Sequence, residues 1–416
     1  MKTVAVVGAS QLVTLAGPAR ARVSAEMSDL GIVTGGGFLV RDGLVVATGT
    51  SAEIERGLPR DAEVVDAGGR VVLPGFVDAH AHPVFVGNRI DEFEMRARGA
   101  AYEEIAAAGG GIRSTVTKAR AATEAQLEAE TIAHLRRFIA CGTTTVEAKS
   151  GYGLSTEDEL RMLRVIRRAG ATLPIEIVPT FLGAHTVPPE FAGEPRRYVD
   201  LIINEMLPQV AAAGLAESCD IFCERGYFDL DAARTILRAA QGHGLSLRMH
   251  VDQLSNYGGA ALAAELGAAT ADHLEQTEAD GIAALRQAEV QPVLLPGSVY
   301  ALGKTRYPRA RDMIEAGLAV VLATDFNPGS SPTPSMPMII SLATTQMQMS
   351  PAEAVTAGTI NAAYSLRRGE KIGSLEIGKR ADFAVFDCDD YRELAYWFGM
   401  PQTHAVYAAG ACIWPG

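Results

Sequence analysis

An α/β barrel fringed by a small β-domain is the architecture this sequence predicts, and three observations carry it. Residues 1–70 hold short strands and little helix. From Val71 the pattern becomes strand, loop, helix, repeated, which indicates parallel strands joined by crossover helices. Residues 373–416 then return to β character, so both chain ends fit one small domain beside a central barrel.

Taken in order, the opening strands are expected at Thr3 to Val7, Ile32 to Thr34, Gly37 to Val40, Leu44 to Thr48 and Glu63 to Asp66. Asp42-Gly43 between two β-rich runs reads as a hairpin turn, since both residues tolerate positive φ. Barrel strands are expected at Val71 to Phe76, Thr144 to Ala148, Leu173 to Phe181, Ile221 to Phe222, Ser246 to Met249, Ala269 to Asp272, Pro292 to Leu295 and Ala319 to Ala323. Alanine- and leucine-rich helices lie between them, such as Glu124 to Ile139, Thr156 to Ala169, Asp231 to Gln241 and Tyr257 to Leu266. Two late strands follow, Ala381 to Asp387 and His404 to Gly410. The expected division is 1–70 and 369–416 for the β-domain and 71–368 for the barrel.

At 416 residues, 48% of them hydrophobic, the chain has ample material for a large barrel core. A net charge of -12 argues against a nucleic-acid or anionic-membrane surface. It does not argue against a small anionic substrate met by one local arginine. Five widely spread cysteines, an odd number, suit reduced thiols in a cytosolic protein better than a disulfide framework. The apolar run at the amino end is too short for a signal peptide and reads as a first strand, and no stretch approaches the ~18 apolar residues that span a bilayer.

Chemistry concentrates where apolar runs end. Gly75-Phe76-Val77-Asp78-Ala79-His80-Ala81-His82 is a hydrophobic strand closing on two histidines two residues apart. Strand side chains alternate, so His80 and His82 leave one face and both imidazoles reach one metal. His250 closes Leu245 to Met249, His273 closes Ala268 to Asp272, and Asp325 closes Leu318 to Thr324. Barrel active sites are built at the carboxyl ends of strands, where these groups would meet. Alone, either histidine is more often a satisfied polar residue, and Asp325 has a less favoured alternative as a turn cap. The repeated placement favours a metal site. Imidazoles with a carboxylate suit zinc, and nitrogen-rich sites also suit iron. Asp325 has two jobs open to it, binding metal and accepting the proton of an activated water. The polar loop Asn327-Pro328-Gly329-Ser330-Ser331-Pro332 follows it, with backbone N–H groups expected to be available to an anion.

Further segments complete a pattern: Gly109-Gly110-Gly111-Ile112, Lys149-Ser150-Gly151-Tyr152-Gly153-Leu154, Thr180-Phe181-Leu182-Gly183-Ala184-His185, Ala271-Asp272-His273-Leu274 and Leu294-Leu295-Pro296-Gly297. With these, nearly the whole chain resembles the imidazolonepropionases, amidohydrolases of histidine degradation. The paired histidines and the stretch Lys371 to Asp382 mark only the broad superfamily, whereas the Lys149 and Thr180 segments are far more specific. The resemblance implies a distorted TIM (β/α)8 barrel with a small β-sandwich domain formed by both chain ends. It implies a cytoplasmic homodimer with one Zn2+ or Fe3+ per subunit. The reaction it implies is hydrolysis of the ring C–N amide bond of 4-imidazolone-5-propanoate, a small anionic cyclic amide, to N-formimidoyl-L-glutamate. Metal ligands then match His80, His82, His250 and Asp325. Substrate contacts match Arg89, Tyr152 and His185, and Asn327, Gly329 and Ser330 match a loop that touches substrate or product.

The residue types suit those roles. The Arg89 fork holds a carboxylate in two parallel hydrogen bonds, and the Tyr152 hydroxyl adds a donor. His185 is expected to hydrogen-bond the ring or stabilise an oxyanion. Lys149 is assigned to the substrate segment, which favours one metal over two. One departure stands out: members of the family frequently carry a glutamate three residues after the third metal histidine, and this chain has Gln253. An amide hydrogen-bonds the ring but takes no proton at neutral pH. Proton transfer then falls to Asp325 and to His273, the latter expected as acid/base or oxyanion partner rather than ligand. Asp252 replaces the missing carboxylate only if the backbone turns it inwards. Gln253 also keeps open a related amidohydrolase acting on another cyclic amide, a thio-imidazolone or an amidine. A catalytically silent barrel predicts lost ligands, and none is lost.

Overall fold

The computed structural model describes residues 2–100, 104 and 110–415; Gly109 of the glycine run lies outside them. Among the described residues, five strands come first: β1 (Thr3–Val13), β2 (Ile32–Arg41), β3 (Leu44–Thr50), β4 (Glu63–Asp66) and β5 (Val71–Pro74). Eight parallel strands follow: β6 (Phe76–Asp78), β7 (Thr143–Lys149), β8 (Glu176–Ala184), β9 (Ser218–Cys223), β10 (Ser246–Val251), β11 (Thr270–His273), β12 (Gln291–Leu294) and β13 (Val321–Leu322). The last three are β14 (Phe383–Phe386), β15 (Thr403–Ala408) and β16 (Ala411–Trp414).

Strands β6 to β13 neighbour one another in chain order, as right-handed strand-helix-strand units require. The ring closes beyond the regular strands, where Ala81 and Phe326 form a parallel bridge. His82 N donates to Phe326 O at 2.9 Å and Asp325 N to His80 O at 3.0 Å. The seam of the barrel is therefore made by the same peptides that carry His80, His82 and Asp325. Strands β7, β9 and β10 are buried along their whole length, covered outside by helices and filled inside by side chains. The helices start where short polar residues cap them. Thr123 and Ser350 each close a capping box, and Ser155 and Asp229 accept from the third residue of their helices.

Several boundaries differ from expectation. Val71 to Phe76 is not one strand: it divides at Gly75, with β5 in the terminal sheet and β6 in the barrel. Gly75 N donates to Asp382 O and Phe76 N to Gly142 O, so consecutive amides serve different layers. A Cβ on Gly75 would fall 2.3 Å from the Thr144 side chain, so only glycine passes here. The third barrel strand starts at Glu176 rather than Leu173, after Pro174, which has no N–H to give a ladder. Regular pairing in β13 lasts only two residues.

The terminal strands form one mixed sheet, ordered β16-β15-β14-β5-β1-β2-β3, with β4 also on β1. Strand β1 branches because its register shifts between Val6 and Ala9, around Gly8 at φ 72°; its first half pairs with β4 and its second half meets β5. The sheet folds over on itself: Phe38 of β2 packs edge-on to Phe383 of β14 at 5.0 Å, and Phe383 stacks on Tyr407 at 4.3 Å. Asp42 and Gly43 turn the β2–β3 hairpin at φ 49° and 84°, as their types predict. The strand expected to run to Gly410 stops earlier, because Ala409 and Gly410 (φ 48° and 72°) turn the chain into β16. No helix among the described residues is long and apolar enough to cross a membrane.

Candidate metal centre

At the carboxyl end of the barrel His80, His82, His250 and Asp325 converge, all buried. Asp325 Oδ1 lies 3.4 Å from His82 Nε2 and 3.6 Å from His80 Nε2, and His250 Nε2 lies 3.4 Å from His82 Nε2. Ligands ~2.1 Å from a tetrahedral ion stand about 3.4 Å apart, so these edges fit one metal ion. His80 Nε2 is buried without a hydrogen-bond partner, the condition a metal bond relieves. Burial holds the His80 imidazole well below its usual range and pushes His82 down to about 4, which keeps both neutral and able to ligate.

A layer of buried charge lies beneath. Asp272 Oδ2 is 2.6 Å from His80 Nδ1, and Asp220 Oδ1 is 3.1 Å from His250 Nδ1. A carboxylate accepts, so Nδ1 of each ring carries the hydrogen and Nε2 is left for the cluster. Lys149 Nζ donates to Asp220 at 2.6 Å and to Glu147 at 2.8 Å, while Arg248 lies 3.6 Å from Asp272 and 3.7 Å from Glu147. Lys149 is thus corrected from a substrate-segment residue to a fully buried counter-ion under His250. Asp220 and Asp272 escaped the sequence reading. The available signal was a carboxylate inside an otherwise apolar strand, which burial forces to find a partner.

His273 sits beside the cluster, its ring centroid 5.3 Å from that of His250, and its Nδ1 lies 3.3 Å from Glu275 Oε1. With His80 and His250 it forms a further group whose ligand atoms lie within 4.8 Å of one another. Three of the strand ends here, Asp252, His273 and Asp325, adopt positive φ (50°, 81° and 52°), a strained conformation that side chains accept where a site demands it.

Tyr152 and His185 pack beside His82, and Arg89 lies against the loop that follows Asp325. Arg89 Nε donates to Thr115 Oγ1 at 2.9 Å, and its guanidinium lies against Gly329, where a Cβ would come within 2.2 Å of Nη1. Tyr152 is buried with its ring 6.1 Å from His82. Burial pushes its hydroxyl above the usual range, so it remains a protonated donor. His185 stacks on His82 at 5.3 Å and donates from Nδ1 to Gly151 O at 2.9 Å. Burial and the neighbouring imidazoles keep it well below its usual range, so Nε2 of the neutral ring is an acceptor. Gln253 lines a small cavity with Glu275, Ser298, Lys304 and Arg306.

One expectation is corrected, and one possibility that the sequence left open is closed. The loop after Asp325 does not offer free amides: Asn327 Oδ1 accepts from Gly329 N at 2.8 Å and Ser330 N at 2.7 Å. Asn327 Nδ2 donates to Asp325 O and Ser330 Oγ, so the loop is stapled to Asp325, with Ser330 Oγ 3.4 Å from Asp325 Oδ2. Asp252 turns away from the centre. Its left-handed φ aims the carboxylate at Tyr257 N, Gly259 N, Ala260 N and Thr277 Oγ1, so it anchors the helix Gly259–Leu266.

Comparison with known proteins places this geometry. Residues 71–411 match the amidohydrolase family. An imidazolonepropionase of Solibacter usitatus (strain Ellin6076) is 60% identical over 414 residues, covering 100% of this chain and 99% of its own length. One from Geobacillus kaustophilus (strain HTA426) is 47% identical over 409 residues, covering 97% and 96%. Among solved structures, an E. coli guanine deaminase superposes with a TM-score of 0.71 at 16% identity over 100% of both chains. An adenosine deaminase from Xanthomonas campestris with bound zinc superposes at 0.70 and 17% identity, covering 99% of this chain and 93% of its own. At such identities these two structures share the fold.

Proposed function

The chain belongs to the amidohydrolase family, in its imidazolonepropionase branch, and from that premise we propose that it hydrolyses the ring C–N amide bond of 4-imidazolone-5-propanoate to N-formimidoyl-L-glutamate. The observation that carries the reading is the convergence of His80, His82, His250 and Asp325 on one ion-sized space, with Arg89 and Tyr152 nearby.

Those four residues would hold one Zn2+ or Fe3+, which when bound polarises a carbonyl and lowers the pKa of water. Arg89 and Tyr152 grip the propanoate tail, and Gly329 lets the guanidinium lie flat against the loop. His185, donating backwards to Gly151 O, offers Nε2 to a ring N–H, a binding contact made alike in the ground state and the transition state. Asp325 takes a proton from the attacking water and gives it to the ring nitrogen as the C–N bond breaks. The products are a carboxylate and a formimidoyl group. His273, oriented by Glu275, faces the developing negative oxygen, and Gln253 hydrogen-bonds the substrate. The reading includes a homodimer in the cytoplasm, in keeping with five unpaired cysteines.

The test is an assay with freshly generated 4-imidazolone-5-propanoate, scored for formimidoylglutamate. Turnover is expected, with about one zinc or iron per chain by elemental analysis, loss on chelation and return on adding metal. Gln253 favours the second reading, an altered cyclic amide or thio-imidazolone as substrate. Robust hydrolysis of such a compound, with none of the propanoate, would decide for it.

A further inference from the structure

We propose that Glu159 is the positioning residue of the substrate-recognition loop, its carboxylate holding residues 151–154 so that Tyr152 and His185 present their polar atoms to the substrate. The inference rests on the functional reading above and deepens it.

Glu159 is completely buried in the first turns of the helix Thr156–Thr172. Its Oε1 accepts from Gly153 N and Leu154 N, each at 2.8 Å, and from Gly151 N at 3.2 Å; its Oε2 accepts from Gly151 N at 3.0 Å. These partners all lie in one short run of chain, between the end of β7 and the start of the helix. A buried carboxylate needs donors and a buried loop needs acceptors, so each satisfies the other.

The bland alternative is an ordinary helix cap, and it fails on geometry. Ser155 already caps that helix, accepting from Asp158 N at 3.2 Å, so Glu159 is not spent on its own first turn. It reaches backwards instead, to a loop that holds Leu154 at φ 55°, a conformation leucine avoids unless held. Gly153 is pressed against the helix, where a Cβ would lie 2.6 Å from Glu159 N. Between the two glycines sits Tyr152. Gly151, fixed by Glu159 through its N–H, accepts His185 Nδ1 through its carbonyl. One carboxylate thereby sets the place of the tyrosine and the orientation of the histidine. Neither is a metal ligand in the reading above, so loss of Glu159 should spare the metal.

The experiment compares wild type, Glu159→Gln and Glu159→Asp for kcat, KM, metal content and thermal midpoint. Glutamine keeps one acceptor but turns an NH2 towards backbone N–H groups; aspartate keeps the charge but falls short by a methylene. KM should rise tenfold or more in Glu159→Gln and by less in Glu159→Asp. In both, kcat should stay within about threefold, with metal content and chelator resistance unchanged. In a His185→Asn background the Glu159→Gln penalty should shrink well below its size in wild type, because both act on one contact. An unchanged KM, a loss that tracks metal or folded fraction, or penalties that multiply in full would overturn the inference. If Glu159→Gln does not fold, Glu159→Asp carries the same test. A wild type inactive on the propanoate sinks the functional reading instead. The KM comparison is then made on the cyclic amide it does hydrolyse, where a rise supports the role of Glu159 and no rise rejects it.

Discussion

Gly329 shows how much one hydrogen atom decides. A methyl group there would sit 2.2 Å from Arg89 Nη1 and 2.7 Å from its Cζ, with no other contact within 3.0 Å. The obstacle is the far end of a flexible side chain, so the arginine moves and the fold stays. Gly329→Ala should therefore keep its thermal midpoint and metal while KM rises about 10- to 100-fold, the worth of a charge-assisted pair at ~1.5–3 kcal/mol. Arg89→Ala should give a similar rise. Wild-type KM in Gly329→Ala would mean that the guanidinium is not the carboxylate grip. Much at this scale was legible in the sequence, because His80, His82, His250 and Asp325 all stand where apolar runs stop. Asp220 and Asp272 were not, because a carboxylate inside a strand declares its purpose only when the imidazole opposite is seen.

At the scale of elements, strand ends decide which side chains face the centre, and there the pattern reading failed most. Alternation would put Asp252 on the face of His250, yet its φ of 50° breaks the alternation and swings it to the helix Gly259–Leu266. A conformational switch at one residue leaves no periodic trace. Asp252→Ala strands the amides of Gly259 and Ala260 and the Thr277 hydroxyl, at a cost of about 2–4 kcal/mol and several degrees of thermal midpoint. Well below that midpoint kcat should change little. Loss of turnover in a folded, metal-replete Asp252→Asn enzyme would instead make Asp252 the carboxylate that Gln253 lacks. The strands themselves were easier to read. β7, β9 and β10 are apolar runs bounded by helices, whereas β16 was hidden because Ala409-Gly410 looks like continued strand until its backbone is known.

Over the whole molecule, the terminal sheet and the barrel are joined at both ends of the chain. Gly75 carries the entry, and the exit runs past Glu176 at the start of β8, away from the metal centre. Glu176 accepts from Arg368 Nε at 2.6 Å and pairs with Arg380 Nη1 at 2.6 Å. Those arginines bracket the segment that leaves the barrel for β14, and Arg380 also binds the buried Asp382. Burial alone would raise the Glu176 carboxyl, but the Arg368 hydrogen bond and the Arg380 charge outweigh it and hold the folded value below the usual range. A depressed carboxylate contributes stability that is fully present above the unfolded pKa, about 4.3, and is lost as pH falls through the folded value. Glu176→Gln should therefore lower the thermal midpoint at pH 7, by an amount corresponding to about 1–3 kcal/mol. The gap to wild type should narrow as pH drops below about 4 and close once the native carboxyl is protonated. At pH 7 kcat should be unchanged, since the clasp and the centre lie at opposite ends of the strands. A gap that stays constant down to pH 3, or no gap at pH 7, would show that the two arginines hold the junction without this carboxylate.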